Sequence, residues 1–300
     1  MATIIAPPRV ALKNILAATD FSPCAQSALQ HALNLTLHYG GKLYTVNVLP
    51  HTPFVESDQP DPEAVKRTTE KKMRDFAKDL QEIQHTELIE EGDVASVLAR
   101  LVQDHQIDLI VLGTQGRAGL EKFLLGSVAE EVFRTAPCPV LTVGPHVSGR
   151  AAASRFQHVL YATDFGPESA HALTHALSLA EEHDAQLTLL HVAHEGGVAL
   201  SEPVPGAMPV KTPYELVADS EKRLRELIPL HNSLRHQPEF MVQFGDAADT
   251  ILRMARDEVD LIVLGAKQSW TLAKHLGGSV AYRVVCEASC PVLSVGGKIH

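Results

Sequence analysis

The stretch from residue 109 to residue 128, LIVLGTQGRAGLEKFLLGSV, combines residue types that can bind an anion. An apolar run typical of a buried strand leads to Gly113 and Gly116, and nine residues later Gly126 is followed by Ser127. Glycine lets a ligand approach the backbone closely. The start of the following helix offers unpaired N–H groups and the positive end of the helix dipole. This pattern therefore predicts a site for a phosphate or another anion.

The spacing fits neither common phosphate motif. A P-loop needs a lysine directly before its final serine, and Gly126 stands in that place. A dinucleotide fingerprint has its glycines in the first strand–helix turn, whereas this cluster comes late in its repeat. The alternative is that the glycines only end a strand and cap a helix, and the glycines alone leave both interpretations open.

The elements around this stretch alternate between strand and helix. Helices are predicted from Pro23 to Gly40, over 63–84, after Gly92 and over 127–135, and strands over 14–18, 42–49, 86–90, 109–112 and 140–143. Such alternation predicts a doubly wound, Rossmann-like parallel sheet with helices on both faces and strand order 3-2-1-4-5. In that order Asp20, which follows the first strand, lies beside Gly113, which ends the fourth. Ligands bind at this point, although Asp20 could also be a turn or capping residue.

The second half of the chain repeats the first. Residues 15–22, 28–33, 108–113, 125–129 and 138–144 return as 159–166, 172–177, 260–265, 277–281 and 290–296. We therefore predict two α/β domains, 1–146 and 154–300, joined by a small and polar linker at 145–154.

Composition restricts the classes of function. The 300-residue chain carries a formal net charge of −10, which argues against binding nucleic acid or an anionic membrane surface. No signal peptide or membrane-spanning segment is evident, so we expect a cytoplasmic protein with reduced cysteines. The 16 histidines lack the spacing of metal ligands and are expected to be solvent-facing or hydrogen-bonded. No catalytic constellation stands out, so at most weak catalytic activity is expected.

These features together resemble the universal stress protein family in its tandem two-domain form. The resemblance rests on the Thr-Asp-Phe-Ser turn at 19–22, the Gly-xx-Gly-x9-Gly-Ser pattern at 113–127 and the Cys-Pro-Val-Leu strand that ends each half. It implies that the last strands of the two halves, which are apolar edge strands, pair about a two-fold axis into an intrachain pseudo-dimer. Whole chains could also form a homodimer.

The resemblance further implies an adenine-nucleotide site that holds ATP with Mg²⁺. Asp20 and the backbone of Ala18 would hold the ribose and adenine end, and the main chain of Val48 would contact adenine. The glycines would surround the phosphates, and Ser127 can donate to a phosphate oxygen or bind Mg²⁺. The implied ligand-binding residues are Ala18, Thr19, Asp20, Val48, Gly113, Gly116, Arg117, Gly126, Ser127 and Val128.

The two copies of the site differ in sequence. Gln268 stands where Gly116 stands in the first half, and Ser269-Trp270 replaces Arg117-Ala118. We therefore expect the first half to bind ATP and the second to bind it weakly or not at all. Three functions stay open: an ATP-binding regulator that acts on unidentified protein partners, a slow ATPase, and a scaffold that binds no nucleotide.

Overall fold

A computed structural model describes residues 10–49, 61–80, 83–115, 125–147, 155–193, 212–230, 232–256, 258–266 and 279–296. The first half contains β1 Asn14–Ala18, α1 Pro23–Tyr39, β2 Lys42–Leu49, α2 Pro62–Phe76, a 3₁₀ turn Lys78–Leu80, β3 His85–Glu91, α3 Val94–Asp104, β4 Leu109–Gly113, α4 Ser127–Thr135 and β5 Val140–Val143. The second half contains β6 His158–Ala162, α5 Pro167–His183, β7 Gln186–Ala193, α6 Pro213–Glu226, β8 Glu239–Phe244, α7 Ala247–Met254, β9 Leu261–Ala266, α8 Val280–Glu287 and β10 Val292–Gly296.

All ten strands form one sheet in the order β3-β2-β1-β4-β5-β10-β9-β6-β7-β8. Within each half the strands are parallel, and the predicted order 3-2-1-4-5 is confirmed twice. The halves join through β5 and β10, which pair antiparallel with Leu141 opposite Leu293. The predicted pairing of the last strands is thus confirmed, and it removes two apolar sheet edges from solvent.

Helices cover both faces of the sheet, and each face has a core that runs through both halves. Successive residues of β1 point to opposite faces, so Ile15 and Ala17 join the core beneath α1, α2, α5 and α6, while Leu16 joins the core beneath α3, α4, α7 and α8. Burial on both faces explains why the central strands are continuous apolar runs. No helix in the described part of the chain is both long and apolar enough to cross a bilayer.

The second helix is shorter than predicted. The sequence pattern predicts one helix over 63–84, but α2 ends at Phe76 and the chain continues through the 3₁₀ turn to β3. The tighter turn brings Leu80, which is only 1% exposed, into the same core as Met73. Burial of this side chain decides the end of the helix, because the sequence here contains no glycine or proline to stop it.

Histidines line the contact between α1 and α5 on the first face. The rings of His38 and His183 stack with centroids 4.2 Å apart and an interplanar angle of 19°. His183 is buried, and its Nδ1 accepts a hydrogen bond of 3.2 Å from the Phe156 amide. His31 is also buried, and its Nε2 has no hydrogen-bond partner among the residues that the structure describes. The two halves therefore meet partly through the stacked rings of His38 and His183.

Candidate functional site

The turn after β1 holds Asp20 in a fixed position. Phe21 adopts a left-handed conformation with φ 65°, and its amide donates to Thr19 Oγ1 at 2.9 Å. The Ser22 amide donates to Asp20 Oδ1 at 2.9 Å, and Ser22 Oγ caps α1 by accepting from the Ala25 amide at 3.2 Å. Asp20 is thus a turn residue, which is the alternative to a ligand-binding role that the sequence left open. The turn fixes the Asp20 carboxylate at the carboxyl end of the sheet.

A second polar side chain fixes this turn from the neighbouring strand. Asn47 Nδ2 donates to the Thr19 carbonyl at 2.7 Å, and the Thr19 amide donates to Val46 O at 2.9 Å. Sequence reasoning missed Asn47, although a polar residue within the apolar stretch of β2 was a usable signal. Because Asn47 is buried and bound to this carbonyl, it fixes the backbone directly before Asp20.

The end of β4 lies beside the end of β1, with Ala18 opposite Leu112. A Cβ atom on Gly113 would lie 2.8 Å from both the backbone carbon and the Cβ of Cys24, at the start of α1. This close approach explains the glycine without a ligand. The structure therefore confirms that the strands that precede Asp20 and end at Gly113 are adjacent, and it gives Gly113 a packing role that sequence reasoning did not assign.

Both ends of the segment that follows β4 are held together. The Gly126 amide donates to Thr114 O at 2.9 Å, and the Thr114 amide donates to Val143 O at 3.0 Å. Ser22 Oγ donates to the Gln115 carbonyl at 3.2 Å and so links this segment to the β1 turn. The predicted site residues Gly116 and Arg117 lie outside the described residues.

Helix α4 begins at Ser127 with Gly126 as its N-cap, and no side chain caps it. The first-turn amides of such a helix are suited to bind an anion. In the second half the corresponding serine acts differently, because Ser279 Oγ is the N-cap and accepts from the Tyr282 amide at 3.2 Å. The same Gly-Ser-Val sequence therefore gives one helix start without a side-chain cap and one with it.

A cleft of about 400 Å³ opens at the carboxyl ends of β1 and β2, a volume within the range of small-molecule sites. It brings the predicted residues Asp20 and Val48 together, whereas residues 113 and 126–128 do not line it. Its other wall is α2, which sequence reasoning had not connected with the site. The lining residues are Asp20, Phe21, Asn47, Val48, Leu49, Ala64, Val65, Thr68, Thr69 and Lys72.

The corresponding region of the second half is arranged differently. Asp164 Oδ1 accepts from the Gly166 amide at 2.8 Å and also from the hydroxyl of Ser169. The guanidinium carbon of Arg223 lies 3.9 Å from the centroid of the Phe165 ring, and the His191 ring lies 4.4 Å from the same ring. The cavity beside this group is about 200 Å³. Gln268 lies outside the described residues.

Among the described residues near the first cleft, a thiol and possible metal ligands bear on whether the site could also catalyse a reaction. Cys24 is the thiol next to Asp20; burial and the negative charge of Asp20 raise its pKa, outweighing a backbone hydrogen bond with Gln115 that lowers it. The thiol is therefore protonated at neutral pH and is a poor nucleophile. Within the described ranges, no three His, Cys, Asp or Glu side chains are grouped so that they could hold a metal ion.

Comparison with known proteins agrees with this architecture. A profile of the universal stress protein family matches residues 11–144 and again residues 155–296. A universal stress protein of Methanocaldococcus jannaschii is 36% identical over 139 residues, which cover 44% of this chain and 81% of that protein. The fold is similar to that of a universal stress protein from Archaeoglobus fulgidus, with a TM-score of 0.67, 17% identity and coverage of 94% of this chain and 98% of that one.

A further solved structure, a universal stress protein in complex with cAMP, has a TM-score of 0.36 and 23% identity, and the match covers 45% of this chain and 98% of that one. The family profile spans nearly the whole chain in two consecutive copies, as the ten-stranded sheet does. The chain belongs to the universal stress protein family, and it contains two universal stress protein domains in tandem.

Proposed function

We propose that this protein is an ATP-binding regulator of the stress response and that it binds the nucleotide in its first half. The observation that carries the proposal is the position of Asp20. Its carboxylate lines a cleft of about 400 Å³ together with Val48, and the neighbouring strand leads to a helix start without a side-chain cap. Domain 1–146 is then the nucleotide-binding unit, and domain 154–300 is the degenerate copy.

The parts of this site suit the parts of an adenine nucleotide. A carboxylate such as Asp20 accepts hydrogen bonds from ribose hydroxyls, and the backbones of Ala18, Thr19 and Val48 can contact the base. The amides of Ser127 and Val128, at the positive end of α4, would receive the phosphates. The Ser127 hydroxyl would donate to a phosphate oxygen or bind the accompanying Mg²⁺. Gly116 and Arg117 complete the phosphate-binding set that the family resemblance implies.

In the second half, a neighbouring hydroxyl group would compete with a ligand for the aspartate Asp164. Asp164 already accepts a hydrogen bond from the hydroxyl of Ser169, and the residue at this place in the first half is Ala25, which has no hydroxyl. A ribose hydroxyl would have to compete with Ser169 for the carboxylate. This intramolecular bond supports weaker binding by the second half, in addition to the substitution of Gly116 by Gln268.

Aromatic and cationic side chains also occupy the second cleft. The repeats align Arg223 with Lys72 and His191 with Asn47. Arg223 lies over the ring of Phe165, an interaction that contributes about 0.5–2 kcal/mol, and a base could enter only by displacing it. In the first half, the corresponding Phe21 instead packs edge-on against Phe76, with centroids 5.8 Å apart. The first cleft, at about 400 Å³, is also twice as large as the cavity in the second half, at about 200 Å³.

Regulation by binding, rather than catalysis, is the function that the site supports. The cleft residues that the structure describes offer hydrogen-bonding and apolar contacts to a ligand, which is why we favour a binding function over the slow ATPase alternative. The net charge of −10 disfavours nucleic acid as a partner, and we expect the protein to act in the cytoplasm on regulatory proteins still to be identified, with a homodimer as one possible assembly.

Replacing Asp20 by alanine in the full chain should weaken ATP binding by tenfold or more. The removed carboxylate makes charge-assisted hydrogen bonds to the ribose, which contribute about 1.5–3 kcal/mol. Asp164→Ala is the matched control, because it removes the equivalent turn bond from the second half. Calorimetric titration of both variants with ATP and cAMP measures the effect. Equal losses in both variants would contradict the assignment to the first half, and the absence of binding by the unmodified chain would contradict the function.

A further inference from the structure

The start of α4 is contacted by a side chain from the other half of the molecule. The Leu125 amide donates a long hydrogen bond of 3.4 Å to the hydroxyl oxygen of Tyr282, a residue 157 positions away in the sequence. Leu125 directly precedes Gly126 and Ser127, where the proposed phosphate site begins. The second half thus provides part of the support for a segment that belongs to the first.

Tyr282 is itself held in place. It is 8% exposed and lies in α8, where its amide is bound by Ser279 Oγ. Its ring belongs to the same core as Leu125 and Ala129, which continues across both halves. Burial raises the pKa of the Tyr282 hydroxyl, and the neighbouring Cys286 adds to this effect. The hydroxyl is therefore neutral at physiological pH, and its orientation is restricted by packing.

The bond to Tyr282 completes the restraints at the start of α4. The next amide, that of Gly126, donates to Thr114 O at 2.9 Å, and Thr114 is bound to β5. The amides of two successive residues are thus held by acceptors on Tyr282 and Thr114. Since α4 begins at Ser127, these two bonds fix the backbone directly before the helix start that presents the amides of Ser127 and Val128.

The first half has no tyrosine at the position equivalent to Tyr282. The repeats align Ser279-Val280-Ala281 with Ser127-Val128-Ala129, so the residue equivalent to Tyr282 is Glu130. A carboxylate in the first turn of α4 cannot give the second half an equivalent neutral hydroxyl. The half that keeps the glycine pattern is therefore also the half that receives the tyrosine.

We propose that Tyr282 is a positioning residue for the proposed phosphate site at the start of α4, residues 125–128, and that the second half in this way supports the binding site of the first. The inference rests on the proposed function. It predicts an effect on phosphate binding in particular, because Tyr282 contacts the start of α4 and is absent from the cleft that holds Asp20 and Val48.

The test is Tyr282→Phe in the full chain, which removes only the hydroxyl. We expect the affinity for ATP to fall about fivefold, the effect of losing one hydrogen bond, and the affinity for adenosine, which has no phosphates, to stay unchanged. Tyr161→Phe is the matched control. It removes another buried hydroxyl of the second half, one that donates to Ser169 O at 2.7 Å, and it should change neither affinity.

A second measurement does not depend on the nucleotide. Without ligand, hydrogen exchange at the Leu125 amide should be faster in Tyr282→Phe than in the unmodified chain and unchanged in Tyr161→Phe. Unchanged ATP affinity, or equal losses for ATP and adenosine, would overturn the positioning role. If the unmodified chain binds no ATP, the proposed function fails. An unchanged exchange rate of the Leu125 amide in Tyr282→Phe would then show that Tyr282 does not hold the start of α4 either.

Discussion

Substitution of Gly265 by alanine should destabilise the protein by about 3 kcal/mol, the upper range for overpacking a rigid interior. A Cβ atom at this position would lie 2.4 Å from the carbonyl carbon of Glu168 and 2.5 Å from the amide nitrogen of Ser169. Both are backbone atoms at the start of α5, so a side-chain rotation cannot relieve the clash. The helix must move away from β9, which would disrupt the packing of α5 on the sheet.

Thermal unfolding of the full chain measures this effect. A decrease of roughly 6–12 °C in the unfolding midpoint corresponds to about 3 kcal/mol for a domain of this size. Gly144→Ala is the matched control, because its added Cβ would come no closer than 3.5 Å to a side-chain oxygen of Thr114. It should shift the midpoint by less than about 2 °C. Similar midpoints for the two variants would show that α5 can move at little cost.

Acid should destabilise the protein through two buried histidines, His31 and His183. Burial lowers the pKa of His31 to about 4. Burial, followed by the charges of His38 and Arg155, lowers the pKa of His183 to about 3. The unfolded chain protonates both rings near pH 6.5. The contribution of these two neutral rings to the free energy of unfolding is therefore complete above pH 6.5. It is lost as the pH falls below 6.5, towards 4 for His31 and towards 3 for His183.

Because of these two histidines, the free energy of unfolding should be about 4 kcal/mol lower at pH 5 than at pH 7. Urea unfolding at a series of pH values measures this loss. Carboxylates also titrate in the lower part of this range, so His31→Leu separates the contributions: it removes one buried imidazole from apolar surroundings and should reduce the loss at pH 5 by about half. A variant with the pH dependence of the unmodified chain would contradict the assignment to His31.

The fold was predictable because its signals are local. The strands at 14–18, 42–49 and 140–143 and the helix at 127–135 have the predicted bounds. The first helix likewise begins at its Ser-Pro start and ends with Gly40 as its C-cap. The pairing of the two halves was predictable because β5 and β10 are apolar edge strands without charged residues, and because of the family resemblance. The error at α2 arose because the burial of Leu80, a tertiary contact, ended the helix.

The candidate site was less predictable, because its parts meet only in three dimensions. Asn47 fixes the Asp20 turn through a bond between strands, and Lys72 reaches the cleft from a helix that the sequence pattern had not placed there. Gly113 was interpreted as a ligand-binding residue, but the proximity of Cys24 already requires a glycine. The contact between Leu125 and Tyr282 crosses 157 residues and has no signal in the sequence.

Hydrogen exchange of the full chain with and without ATP and Mg²⁺ tests most directly the claim that one nucleotide binds in the first half. The account predicts slower exchange in peptides that cover Ala18–Asp20 and Gly126–Val128, and no change in those that cover Ala162–Asp164 and Ser279–Ala281. Equal protection in both halves would contradict the proposed asymmetry, and no protection in either half at saturating ATP would contradict the nucleotide site itself.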